Sequence, residues 1–123
     1  MMSEPPAAKE GILVGFATIG SEEDGRRLAR TLVEKGLAAC VNIIPAVRSI
    51  YRWKGVMEEE QEVLLVIKTG EGHLEALKRA FRESHPYEVP ELIVVPVVGG
   101  LEAYMEWVRG ELEGVARRNG QDR

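Results

Sequence analysis

From Gly36 to Thr69 the sequence reads GLAACVNIIPAVRSIYRWKGVMEEEQEVLLVIKT, and no other stretch restricts the fold so tightly. Ala38 to Ile44 is a nearly unbroken apolar run rich in branched side chains, the pattern of a strand buried on both faces. Pro45 interrupts it. Beyond the proline Val47, Ser49, Tyr51 and Trp53 alternate with Arg48, Arg52 and Lys54, broken only by Ile50, which predicts a half-exposed strand. The chain turns back at Lys54-Gly55. The return limb begins with Glu58, Glu59, Glu60 and Glu62 and becomes apolar on both faces from Val63 to Ile67. Typical strands run to roughly five or six residues, so a hairpin of this length outgrows one small sheet. Its outer half is expected to lie on another copy of the chain.

A chain of 123 residues fits one domain and buries roughly two thirds of its unfolded surface without covalent staples. The net charge of −4 arises from 20 acidic and 16 basic residues scattered along the sequence. Nucleic acid is not an expected partner, because there is no basic block and no basic stripe interleaved with aromatics. Cys40 is the only cysteine, which rules out an intrachain disulfide and a multi-cysteine zinc site and suits a reducing compartment. The first ten residues, MMSEPPAAKE, have prolines and acids where a secretory signal needs a basic start and an apolar core, and no run approaches transmembrane length. The expectation is a cytoplasmic protein with no membrane partner. Residues 1–10 read as a disordered lead, 11–112 as one domain and 113–123 as a frayed tail.

Within that domain, Ile12 to Thr18 fits a central strand. Ser21 caps a helix with Glu22, Glu23 and Asp24 in its first turn; Leu28, Ala29, Leu32 and Val33 form the buried stripe, and Gly36 ends it. After the hairpin, Thr69 is expected to cap a second helix with Leu74, Leu77 and Phe81 inward. HPYEVPE, 85–91, is held extended by its prolines. Leu92 to Val95 makes a fourth strand, and Pro96 marks a sheet edge or the strand's end. Leu101, Tyr104, Met105, Val108 and Leu112 then repeat at helical spacing. The order is β-α-β-β-α-β with a long β2-β3 hairpin and an extra C-terminal helix, an α+β, ferredoxin-like arrangement. Two helices cover one face of such a sheet, and a partner is expected on the other.

The runs AACVNIIP, SIYRWKG, EVLLVIKT and HPYEVPEL, with Tyr104 and Trp107 spaced in the last helix, resemble the CutA family of divalent-cation tolerance proteins over about residues 11–112. The resemblance implies a homotrimer in which long hairpins cross between subunits, and a role in the response to copper and other divalent metal ions. Members credited with a copper site have a cysteine late in the first strand and two adjacent histidines before the proline of the HPY motif. This sequence has Ala17 and Ser84 there, and only His85 remains. One imidazole does not hold copper tightly, so the implied cofactor is copper or another divalent cation, weakly bound.

Each candidate residue also has a plain structural role. His85 is the metal candidate, or else a cap on the last helical carbonyls. His73, beside Glu71 and Glu75, reads as a solvated surface residue, and Cys40 as a core thiol. The acid run 58–62 reads as a solvated hairpin tip that also attracts hard cations weakly. Tyr51, Trp53, Tyr87 and Trp107 read as interface anchors. Alternatively they line an intersubunit cleft with Arg48, Lys68 and Glu91, in a signalling or sensor trimer that binds a small anionic ligand. No catalytic triad order, paired-histidine metal spacing or phosphate-cradling glycine loop is present, so an enzyme is not expected.

Overall fold

The computed structural model describes residues 9–121, with side chains over 9–114; the expectations for 1–8 and 122–123 lie outside the described residues. The elements follow in the order β1 (Ile12–Ile19), α1 (Glu22–Glu34), β2 (Cys40–Trp53), β3 (Val56–Gly70), a 3₁₀ turn (Glu71–His73), α2 (Leu74–Ser84), β4 (Ile93–Pro96) and α3 (Glu102–Gln121). The strands form one antiparallel sheet in the order β2-β3-β1-β4, the ferredoxin-like fold. Pro96 is therefore both on an edge strand and at its end, where its missing N–H costs no ladder bond.

Local chemistry sets the boundaries. The Ser21 hydroxyl accepts from the Asp24 amide at 3.1 Å and starts α1. Gly36, at φ +71°, ends it; the Leu37 amide donates to the Leu32 carbonyl and the Gly36 amide to that of Val33, the paired bonds of a Schellman cap. The hairpin turns through Lys54 at φ +51° and Gly55 at φ +82°, the left-handed pair that matches the twist of a two-residue turn. Pro45 does not end β2. Ile44 pairs with Leu64 and Val47 with Glu62, so one extra residue is absorbed as a bulge and the strand continues.

The core lies between the helices and one face of the sheet, where Ala17, Ile19, Leu28, Leu32, Leu65, Ile67, Leu77 and Phe81 are buried together. On the other face α3 covers one end only, with Val108 and Leu112 packed against Ile12 and Ala39. The rest of that face is open in the single chain: Val14, Phe16, Leu64 and Val66 are half-buried, and Ile44, Ile93 and Val95 are exposed. The sequence reading of Ala38–Ile44 as buried on both faces is not met within one chain, because β2 is an edge strand whose outer side chains no element of the same chain covers.

Several local expectations are corrected. Thr69 does not cap α2; it sits in β3, fully buried, and donates to the Leu37 carbonyl at 2.7 Å. Val33, Leu101 and Tyr104 are exposed rather than part of the buried stripes. Cys40 is half-buried at the start of the edge strand, its sulfur 3.9 Å from Asn42 Oδ1, rather than inside the core. His73 is not a free surface residue, since its Nδ1 lies 2.7 Å from Glu10 Oε1, which also accepts from the Gly72 amide. Glu10 and Lys9, placed in the unstructured lead, are tied to α3 through Arg109 Nε on the Glu10 carbonyl and Lys9 on Glu106. The helix α3 runs on to Gln121, through most of the stretch expected as a tail. No helix among the described residues is long and apolar enough to cross a membrane.

Candidate functional site

The strand register builds the main cleft. Ser49 pairs with Glu60, Tyr51 with Glu58 and Trp53 with Val56, so directly opposed side chains project to the same side of the ribbon. The segment 85–91 leaves α2 and supplies the facing wall. Together they enclose a cleft of about 750 Å³ lined by Thr18, Ser49, Ile50, Tyr51, Trp53, Glu58, Glu60, Glu62, Tyr87, Glu88, Val89 and Glu91. Four of the sequence candidates, Tyr51, Trp53, Tyr87 and Glu91, meet there. The other three do not line it. Arg48 points to the opposite side of the ribbon and pairs with Glu59 at 3.3 Å. Lys68 lies at the far end of the open sheet face, hydrogen-bonded to Asn42. Trp107 is on α3, with its ring 5.7 Å from that of Tyr104.

His85 and Tyr87 hold the facing wall in place. His85 is 7 % exposed. Its Nε2 lies 2.8 Å from the Thr18 carbonyl oxygen, and the Tyr87 amide donates to its Nδ1 at 3.1 Å. The ring packs between Phe81 and Tyr87, with centroids at 5.1 and 4.7 Å. The imidazole therefore does not cap α2; the His85 backbone amide, not its side chain, bonds the Phe81 carbonyl. Tyr87 reaches across to donate to Glu62 Oε2 at 3.0 Å. Gly20 makes room, since a Cβ there would stand 3.0 Å from the Tyr87 hydroxyl. Glu91 accepts from Thr18 Oγ1 at 3.5 Å.

The cleft is electronegative. Removal from water, then the Glu62 hydrogen bond and charge, push the Tyr87 hydroxyl well above the ordinary tyrosine range. The Tyr51 hydroxyl moves the same way, through desolvation and then Glu60. Desolvation leads both shifts and the neighbouring glutamates add to them; Arg48 and Lys68 do not line this cleft within one chain. Glu58, Glu60, Glu62 and Glu88 also line the cleft; the sequence reading has 58–62 as a tip that attracts hard cations weakly, and does not place them or Glu88 in a cleft with Tyr51 and Tyr87. The period-2 pairing of 58, 60 and 62 with Tyr51 and Ser49 carried that signal, but an acid run also fits a solvated tip. Glu62 departs from the tip reading, because it is buried.

The donor set within one subunit does not fit copper. Among the described residues no three His, Cys, Asp or Glu side chains gather closely enough to hold a metal ion. Ala17 and Ser84 bring no nitrogen or thiolate ligand, and both nitrogens of His85 already face backbone partners.

Comparison with known proteins agrees with this architecture. The chain is 45% identical over 117 residues to Protein CutA of Mus musculus, covering 91% of this chain and 66% of that protein. It is 47% identical over 96 residues to the divalent-cation tolerance protein CutA of Thermus thermophilus, covering 78% of this chain and 93% of the relative. The crystal structure of CutA1 from Oryza sativa superposes with a TM-score of 0.82 at 39% identity, over 85% of this chain and 96% of that one. The chain spans between 53% and 66% of the length of the mammalian and Arabidopsis relatives it matches. The family described as CutA1 divalent ion tolerance protein matches residues 13–111, from the second residue of β1 to the middle of α3, and the chain belongs to that family.

Proposed function

We propose that the protein works as a cytoplasmic homotrimer in divalent-cation tolerance and collects divalent metal ions, copper among them, as cargo at its acidic clefts. One observation carries the reading: Glu58, Glu60 and Glu62 on β3 face Glu88 and Glu91 across a cleft whose wall is the half of the hairpin that outgrows its own sheet. Carboxylate oxygens suit hard divalent cations, and the general affinity order ranks copper above zinc. A neighbouring subunit supplies the remaining ligands, since one chain does not gather three. The uncovered apolar face supports the assembly. The cytoplasmic location rests on composition alone, a single cysteine with no partner for a disulfide, and cell fractionation tests it. The test of function is a calorimetric titration of the wild type and a Glu58→Gln/Glu60→Gln variant with copper, zinc and calcium at neutral pH. Binding should be weak to moderate and fall in the variant. Unchanged affinity, or a thermal shift produced by nucleotides and small anions but not by cations, would count against the proposal.

A further inference from the structure

We infer that His85 is a neutral fastener for one wall of the cleft, protonated on Nε2 and bare on Nδ1, and that it does not ligate metal in this chain. The partners decide the tautomer. A backbone carbonyl only accepts, so the nitrogen 2.8 Å from the Thr18 oxygen carries the proton. A backbone amide only donates, so the nitrogen 3.1 Å from the Tyr87 nitrogen offers its lone pair there. A metal at Nδ1 has to displace the Tyr87 amide. A metal at Nε2 has to replace a proton and then stands against a carbonyl oxygen, inside a site 7 % exposed and closed by the Phe81 and Tyr87 rings. A buried amide or carbonyl left without its partner is unfavourable, so either exchange works against binding.

The positive role follows from the same bonds. Thr18 on β1, His85, Tyr87 and Glu62 on β3 form a continuous chain of contacts. It fixes the start of 85–91, and with it the direction in which Glu88 and Glu91 enter the cleft. His85 is a positioning residue for the cleft without touching what the cleft holds.

The test uses the full chain with 15N-labelled histidine. Only His73 and His85 contribute, and a His73→Gln variant assigns the two rings. At neutral pH the His85 ring should show the Nε2-protonated tautomer in long-range nitrogen–proton correlations, and equimolar zinc should leave that pattern in place. The Tyr87 backbone amide should exchange slowly with solvent in the wild type and faster in His85→Leu. A bare Nε2 in the wild type, a zinc-induced change of either His85 nitrogen, or a Tyr87 amide that exchanges equally fast with and without the imidazole would overturn the inference. None of these readouts depends on whether the cleft carboxylates bind ions, so failure here is distinct from failure of the proposed function.

Discussion

Glu62 is 5 % exposed, and its recorded hydrogen bond comes from the Tyr87 hydroxyl. Removing that donor leaves a buried carboxylate short of a partner, which costs about 1–3 kcal/mol. Tyr87→Phe should therefore lower the stability measured by chemical denaturation by that amount, while Tyr51→Phe, at an exposed site, should leave it close to wild type. The same bond sets a pH dependence. The Tyr87 hydroxyl is raised above its unfolded value, so its contribution is fully present below the unfolded value of about 10 and is lost as pH rises above it. The alkaline limb of a melting-temperature profile should be flatter in Tyr87→Phe than in the wild type. An identical limb in both proteins would show that the hydroxyl is free to ionise in the folded chain.

Among the elements, the hairpin turn holds two successive residues in the left-handed region. Lys54 holds φ +51° without being glycine or asparagine, and a left-handed backbone costs an ordinary residue about 1–2 kcal/mol. Its ammonium lies 5.6 Å from the centre of the Trp53 ring, an exposed contact worth about 0.5–1 kcal/mol. The backbone effect is the larger, so Lys54→Asn should raise stability by a few tenths to about 1 kcal/mol in a denaturant titration; a loss would show that the cation–ring contact dominates. Element existence was legible because strong local signals agreed: Ser21 before its acids, Gly36 after the last helical turn, and the alternation from Val47 to Trp53. What was not legible came from contacts distant in sequence. Thr69 looks like a cap until its hydroxyl finds Leu37, and His73 looks solvated until Glu10 arrives from the far end of the domain. The cleft was half legible for the same reason. Tyr51, Trp53, Tyr87 and Glu91 were named, but only the register across the bulge at Pro45 shows that Arg48 points away and that Glu58, Glu60 and Glu62 point in.

At the scale of the whole molecule, the question is what covers the second face of the sheet. In one chain Ile93 is 60 % exposed and Ile44 and Val95 are more than two fifths exposed, on edge strands flanking the half-buried Phe16 and Val66. A monomer tolerates a charge at a position already in water, within about 0.5 kcal/mol. An assembly that closes this face does not, because the substitution places an unpaired carboxylate in an apolar interface, at a cost of several kcal/mol. Ile93→Glu therefore separates the two states. In light scattering at micromolar concentration the wild type should weigh three times the 13.7 kDa chain, and Ile93→Glu should fall to the single-chain mass with a lower, concentration-dependent melting temperature. Trp53→Ala, at the tip of the ribbon, should weaken assembly by roughly 2 kcal/mol, the threshold of an interface hot spot. If Ile93→Glu keeps both the mass and the melting temperature of the wild type, this face is open to water in solution. The cleft carboxylates would then have no neighbouring subunit from which to complete an ion site.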